Sequence, residues 1–288
     1  MKNSIFAFLL LIVLSFVAAA QTAAQQEKSV TVFGAKINYV EAGDATKPTV
    51  ILLHGLGSSV VSWQFNIPAL TGKYHVVAID QIGFGKSDRP MLKYRVGTYV
   101  DFLDKFMSET KIEKATLVGN SLGGWVAAWM AIKYPNRVEK IVLADAAGFK
   151  PSEIDFKQIY GLNYSTRDEL RALVKLIFYN QLVFGSDAFI EESMRQRVLA
   201  NDGYTINSLI ESIKREEDFL DGQLSAIKKP TLVIWGKQDG LLKLADGERF
   251  NKEIAGSQLV VLDQCGHVPQ VEKFAEFNAA VLKFLEGK

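Results

Sequence analysis

Six short, continuous apolar runs constrain the fold of this chain more than any other feature. They are rich in Val, Ile and Leu and lie at 49–53, 75–79, 115–118, 140–144, 231–235 and 258–262. Such runs are typical of strands that are covered on both faces, as in a parallel sheet. Two alternating segments, 29–33 and 36–41, flank Gly34 and indicate an antiparallel hairpin. The sequence therefore predicts a mostly parallel sheet of eight strands with an antiparallel edge.

Segments whose apolar residues have helical spacing lie between several of these runs. Residues 96–108 and 122–133 repeat apolar side chains near the helical period, and strands that alternate with helices predict an α/β domain. Residues 148–229 contain no strand-like run, and a structureless loop of that length is improbable in a compact domain. Further helical segments lie inside it, at 167–178, 188–199 and 205–219. We therefore expect a helical cap at 148–229, inserted into a core formed by 21–147 and 230–288.

The composition excludes several classes of function. Lys and Arg number 33 and Asp and Glu 32, so the net charge is +1 and offers no general attraction to nucleic acid. The single cysteine, Cys265, cannot form an intramolecular disulfide, and the three histidines lack the spacing of a structural zinc site. We expect no nucleic-acid partner, no metal and no cofactor.

Residues 1–20 have the order of a secretory signal peptide: Lys2, an apolar run from Ile5, and small residues up to Ala20. The run is shorter than the roughly 20 residues that a membrane-spanning helix needs, which favours cleavage near Ala20 over an uncleaved anchor. We expect an exported protein, periplasmic or secreted, with no stable membrane span after cleavage.

Ser121 carries the strongest functional signal. It is flanked by Gly119 and Gly123, as G-x-S-x-G, where the run 115–118 ends and the helical pattern 122–133 begins. A sharp turn there exposes the hydroxyl, and the glycines allow strand and helix to approach closely. The start of the helix aims backbone N–H groups at a reacting oxygen. This placement predicts a nucleophilic serine.

A serine nucleophile needs a base, and the three histidines make the choice short. His267 follows the run 258–262 and should lie at the same carboxyl edge of the sheet as Ser121. His75 opens a strand and belongs to the opposite edge. His54 lies in a glycine-rich turn that is better suited to supplying an N–H group. His267 is the predicted base.

Two acids could orient that base. Asp239 follows the strand that precedes the His267 strand, which gives the chain order Ser, Asp, His. Asp145 follows the strand after Ser121, and a carboxylate from a neighbouring strand could also reach the imidazole. We favour Asp239 and keep Asp145 as the alternative. Asp80 is expected to shape the loop that follows its strand.

The chain resembles the α/β-hydrolase superfamily across essentially the whole mature sequence. The motifs that carry the resemblance are His54–Gly57 (HGLG), Asp80–Asp88, Gly119–Gly124 (GNSLGG), Trp235–Leu241 and Cys265–Glu272 (CGHVPQVE). The resemblance implies an oxyanion hole formed by the backbone N–H groups of Leu56 and Leu122. Serine at 121 argues against the branches of the superfamily that use an aspartate nucleophile.

The GNSLGG turn and the stretch after Cys265 are also similar to hydrolases that cleave carbon–carbon bonds in ring-fission products. Those enzymes typically carry Trp after the base, where this chain has Val268, and an export signal fits their role poorly. We therefore expect hydrolysis of a small-molecule ester or related acyl substrate. Carbon–carbon cleavage, cofactor-free peracid formation and non-hydrolytic ligand binding stay as alternatives. Acyl specificity and oligomeric state are left open.

Overall fold

A computed structural model describes residues 25–150 and 156–287, so the predicted signal segment 1–20 lies outside it. The described residues form one sheet of eight strands in the order β1-β2-β4-β3-β5-β6-β7-β8. The strands are β1 Gln26–Val32, β2 Ala35–Ala42, β3 Thr49–Leu53, β4 His75–Ile79, β5 Ala115–Asn120, β6 Val138–Ala144, β7 Thr231–Gly236 and β8 Gln258–Leu262. β2 is antiparallel to both β1 and β4, and all other pairs are parallel. The predicted fold class is confirmed.

The helices alternate with the strands and flank the sheet. They are α1 Ile67–Thr71, α2 Val96–Glu109, α3 Leu122–Lys133, α4 Phe156–Gly161, α5 Arg167–Ile177, α6 Gln181–Phe184, α7 Asp187–Ala200, α8 Gly203–Lys214, α9 Leu244–Glu253, α10 Pro269–Glu272 and α11 Phe274–Leu285. Short 3₁₀ turns lie at Val60–Trp63, Pro135–Arg137 and Leu224–Ala226.

Both faces of the central strands are buried, which explains why β3, β4, β5 and β7 are continuous apolar runs. In β3, Ile51 belongs to a core cluster on one face that also holds side chains of α2, α3 and α9. Its neighbour Leu52 belongs to a second cluster with side chains of α1 and α11. Alternate residues of one strand thus enter opposite cores, and burial of each such side chain stabilises the fold by about 1.5–3 kcal/mol.

Helices α4–α8 lie between β6 and β7 in the chain, within the predicted cap segment. Part of this segment has its own small core, in which Leu170, Val174 and Ile190 are surrounded by aromatic side chains. α8 instead contributes Ile206 to the large core beside the sheet. These buried side chains therefore pack within the segment or against the sheet. Among the residues that the structure describes, no helix is both long and apolar enough to cross a membrane.

Candidate active site

Ser121 occupies a sharp turn between β5 and α3. Its backbone lies at φ 54° and ψ −116°, a left-handed conformation that is rare for a residue with a side chain. Three backbone hydrogen bonds hold the turn: the Ser121 N–H donates to Ala144, and the Ser121 carbonyl accepts from Trp125 and Ala147. Strain that is held in place by surrounding bonds is a common feature of functional turns.

The glycines beside Ser121 are required by close backbone contacts. A Cβ atom at Gly119 would lie 2.2 Å from the carbonyl oxygen of Gly123, and one at Gly123 would lie 2.1 Å from the carbonyl oxygen of Leu53. Both separations are well below a van der Waals contact. The motif thus brings β5, α3 and β3 together more closely than any residue with a side chain allows.

The HGLG turn lies against Ser121. A Cβ atom at Gly55 would be 3.3 Å from the Ser121 Cβ, which places Leu56, the next residue, beside the same site. His54 is fully buried, its Nδ1 donates to the Gly55 carbonyl at 2.7 Å, and its Nε2 accepts from the Gln81 N–H at 3.0 Å. Burial lowers the pKa of His54, so its ring is neutral and both nitrogens are engaged. His54 therefore organises the turn.

Leu122 is the first residue of α3, so its backbone N–H has no acceptor within the helix. The dipole of the helix also favours negative charge at this end. The N–H groups of Leu122 and Leu56 thus belong to the two segments that meet at Ser121. This arrangement fits the predicted oxyanion hole.

The structure brings His267 and Asp239 into direct contact. His267 Nδ1 lies 2.7 Å from Asp239 Oδ2, and both side chains are buried. The other carboxylate oxygen of Asp239 accepts from the N–H groups of Leu241 and Leu242 at 2.8 and 3.0 Å. These bonds fix the carboxylate, so Nδ1 of the neutral imidazole carries the proton and Nε2 is left as the basic nitrogen.

Asn120 links this pair to the serine turn. Its Nδ2 donates to the His267 carbonyl at 3.0 Å and to the Ala144 carbonyl at 3.1 Å. Sequence reasoning did not single out Asn120, because a side chain that bonds to remote carbonyls leaves no local pattern. Its position inside the motif, directly before Ser121, was the available signal.

Asp145 lies close to His267 and Asp239 but does not take the place of Asp239 at the imidazole. One oxygen each of Asp145 and Asp239 and a ring nitrogen of His267 all lie within 4.8 Å of one another. Asp145 Oδ1 accepts from the Gly236 N–H at 2.9 Å, and the side chain also lies next to the Asp239 carboxylate. Burial and the Asp239 charge raise the pKa of Asp145 well above its usual range. Asp145 is therefore a buried acid beside the pair, in an environment that favours its protonated form.

The remaining candidates have other roles. The Asp80 carboxylate accepts from the Val60 and Lys86 N–H groups and from the Asn38 side chain, so it braces the loop after β4. His75 lies at the other end of β4, where its Nε2 contacts Glu41 at 2.7 Å. Cys265 is buried, and burial raises the pKa of its thiol, which keeps it protonated and unreactive.

The fold and this site define an α/β hydrolase. The family model for the alpha/beta hydrolase fold matches residues 48–274, so the chain belongs to that family. The chain is 31% identical to a 2-hydroxymuconate semialdehyde hydrolase of Pseudomonas sp. (strain CF600), over 93% of this chain and 96% of that protein.

Solved structures show the same likeness. A meta-cleavage product hydrolase from Pseudomonas fluorescens IP01 is 30% identical, with a TM-score of 0.82 over 90% of this chain and 97% of that chain. A bacterial membrane phospholipase A is 29% identical, with a TM-score of 0.82 over 100% of this chain and 99% of that chain. The meta-cleavage product hydrolase and the membrane phospholipase A are thus similar to this chain to almost the same degree.

Proposed function

We propose that this protein is a serine hydrolase that cleaves carboxylic esters through an acyl-enzyme formed on Ser121. The observation that carries the proposal is the buried hydrogen bond between His267 and Asp239. It is joined through Asn120 to the strained turn that presents Ser121. A nucleophile, an oriented base and an acid at one sheet edge are the parts that acyl transfer needs.

In the first half of the reaction, the Ser121 oxygen bonds to the ester carbonyl carbon and its proton passes to Nε2 of His267. Asp239 stabilises the imidazolium, and the N–H groups of Leu56 and Leu122 hold the oxyanion. The tetrahedral intermediate then expels the alcohol, which takes the proton from His267. Water repeats the sequence on the acyl-enzyme and releases the acid, so His267 and Ser121 return to their starting states.

Three observations support an ester over a carbon–carbon bond. Val268 follows the base, where hydrolases of ring-fission products typically carry Trp. The apolar N-terminal segment supports export, whereas ring-fission intermediates arise inside the cell. The membrane phospholipase A, an ester hydrolase by its name, matches this chain over its full length. We therefore also propose that the protein is exported.

Carbon–carbon hydrolysis is the second candidate, because the 2-hydroxymuconate semialdehyde hydrolase matches 93% of this chain. The same serine, histidine and aspartate would serve that reaction. The substrate would then be a 2-hydroxy-6-oxo dienoic acid, and the oxyanion hole would hold its ketone oxygen instead of an ester carbonyl oxygen.

The test measures initial rates of the full chain on p-nitrophenyl esters from acetate to palmitate and on a ring-fission dienoate. The Ser121→Ala variant should lose several thousandfold in kcat on the preferred esters, because only binding and the oxyanion hole are left. Ser62→Ala, whose hydroxyl donates to the Ser59 carbonyl, is the control and should keep full activity. A higher kcat/KM on the dienoate would favour the second candidate. No serine-dependent turnover on either class would overturn both.

A further inference from the structure

We propose that Glu272 is a positioning residue that acts through His267 by fastening the cap to the loop of the base. The inference builds on the proposed function, which assigns His267 as the base. Nothing in the serine, histidine and aspartate arrangement requires Glu272, which lies five residues beyond His267, at the end of α10.

Three backbone donors converge on the Glu272 carboxylate. Oε1 accepts from the Gly266 N–H at 2.8 Å, directly before the base. Oε2 accepts from the N–H groups of Tyr179 and Asn180 at 2.8 and 3.1 Å. Tyr179 and Asn180 belong to the cap, so a single side chain joins two parts of the chain that are about 90 residues apart.

Backbone hydrogen bonds from the end of α5 also join the cap to the loops of His267 and Asp239. The His267 N–H donates to the Ile177 carbonyl at 2.6 Å, and the Gly240 N–H donates to the Leu176 carbonyl at 2.9 Å. The loops of the proposed acid and base both bond to the last turn of one cap helix, whose final carbonyls lack partners within the helix. We call these two bonds and the three bonds to Glu272 the cap latch.

Glycine makes this approach possible. A Cβ atom at Gly266 would lie 2.2 Å from the Ile177 carbonyl oxygen, and one at Gly240 would lie 2.9 Å from the Leu176 carbonyl oxygen. Side chains at these positions would push the cap away from both loops. The same steric limit, close approach to the carbonyls at the end of α5, thus explains why glycine follows Asp239 and precedes His267.

The carboxylate is the only side chain of this length that satisfies all three donors. Glutamine has one acceptor oxygen, so its amide N–H₂ would face either Gly266 or the two cap N–H groups. An unsatisfied, half-buried donor costs about 1–3 kcal/mol. Without Glu272, the segment after α5 and the Gly266–His267 loop lose their common anchor, and the imidazole is less well placed relative to Ser121.

The first test measures geometry and needs no substrate. In hydrogen exchange followed by mass spectrometry, Glu272→Gln should accelerate exchange in peptides that cover 176–181 and 264–268, and leave the strand peptides unchanged. Glu276→Gln, on the exposed side of α11, is the matched control and should change neither region. Unchanged exchange in both regions of the Glu272→Gln variant would overturn the latch, whatever the activity of the protein.

The second test measures catalysis on the preferred ester. Glu272→Gln should lower kcat by about 10- to 100-fold with KM changed less than about twofold, because the misplacement affects the base more than substrate binding. A kcat within about twofold of wild type, in protein with a wild-type thermal transition, would overturn the positioning role. If wild type shows no Ser121-dependent turnover, the proposed function fails and the exchange test alone decides the latch.

A backbone variant covers the case in which Glu272→Gln fails to fold. Asn180 has φ −80°, which proline adopts, and its side chain caps α6 through Val183. Asn180→Pro removes the cap and the N–H that Glu272 accepts, whereas Asn180→Ala removes only the cap. We expect kcat for the Pro variant to be several-fold below that for the Ala variant. Equal kcat values would count against the latch.

Discussion

Asn120 Nδ2 donates a 3.0 Å hydrogen bond to the backbone carbonyl of His267, so the residue directly before Ser121 holds the loop that carries the proposed base. Its second bond reaches the Ala144 carbonyl at the end of β6. The amide thus ties the ends of β5 and β6 to the segment after β8. This side chain is therefore one of the groups that fix the relative placement of Ser121 and His267.

We expect Asn120→Ala to lower kcat on the preferred ester at least tenfold, because the buried His267 carbonyl loses its Asn120 donor and the His267 loop is no longer bonded to β5. The Ala144 carbonyl keeps the Ser121 N–H as a donor. Asn278→Ala is the matched control: it is also a buried asparagine with two side-chain hydrogen bonds, to Asn66 and to the Phe65 carbonyl. Both variants should lose about 1–3 kcal/mol in free energy of unfolding, measured by urea titration. Equal kcat losses in the two variants would show that Asn120 acts only through stability.

The strands could be predicted from sequence because burial on both faces leaves a strong signal. Each of the six predicted apolar runs overlaps an observed strand, and among these six the observed bounds extend most at Ala115–Asn120 and Val138–Ala144, by two residues each. The ends differ because polar Asn120 and the charged start of β6 continue the strand through backbone bonds. The pattern of apolar residues in the sequence gives no indication of such backbone hydrogen bonds.

The sequence offers candidate site residues where the chemistry depends on side chains, but it offers none where the contacts are made by backbone groups. Ser121, His267 and Asp239 follow from motif order and strand ends, and the choice of Asp239 over Asp145 agrees with the observed hydrogen bond. The cap latch was not predicted, because carbonyls such as that of Ile177 are identical in every residue type. Only the fold shows where they point.

The glycine at 123 provides a prediction on stability. Gly123→Ala should lower the free energy of unfolding by about 3 kcal/mol or prevent folding, because the new Cβ would lie 2.1 Å from the Leu53 carbonyl oxygen. Gly72→Ala is the control, since Gly72 has φ −61° and its added Cβ would meet nothing within 4 Å. It should be neutral or stabilise by up to about 1 kcal/mol. Urea unfolding of both variants tests this, and equal midpoints would contradict it.

Asp145 provides a prediction on pH. Because its pKa is raised in the folded state, the folded protein holds a proton that the unfolded chain releases near pH 3.9. The free energy of unfolding therefore falls as pH rises from the pKa of Asp145 in the unfolded chain to its raised pKa in the folded protein. The fall is at most about 1.4 kcal/mol per pH unit. The Asp145→Asn variant has no proton to lose, so its stability relative to wild type should increase with pH over this window. Thermal unfolding from pH 4 to 8 measures the difference.

The Asp145→Asn variant also tests which of the two acids, Asp145 or Asp239, orients His267. Asn at 145 can still accept from the Gly236 N–H and donate to Asp239, so we expect kcat within about twofold of wild type. Asp239→Asn should reduce kcat by several thousandfold, because the imidazole loses its charged partner. A loss at Asp145→Asn as large as at Asp239→Asn would instead make Asp145 the acid of the triad.

Two tryptophans of α3 share one acceptor near the end of the predicted cap segment. The Nε1 groups of Trp125 and Trp129 both donate to the Asp218 carbonyl, at 2.8 and 2.5 Å, and Asp218 has φ 62°. Either indole alone can satisfy the carbonyl. The two hydrogen bonds should therefore be coupled.

We expect Trp125→Phe and Trp129→Phe to cost less separately than together. Each single variant keeps one donor on the Asp218 carbonyl, whereas the double variant leaves that partly buried oxygen unpaired, at about 1–3 kcal/mol. In a double-mutant cycle followed by urea unfolding, the double variant should exceed the sum of the single losses by about 1 kcal/mol or more. Additive losses would mean that water replaces the indoles at Asp218. The contact between α3 and the segment that contains Asp218 would then be stabilised by ring packing alone. The main contribution would come from the Trp125 ring, whose centroid lies 5.4 Å from that of the stacked Phe219 ring.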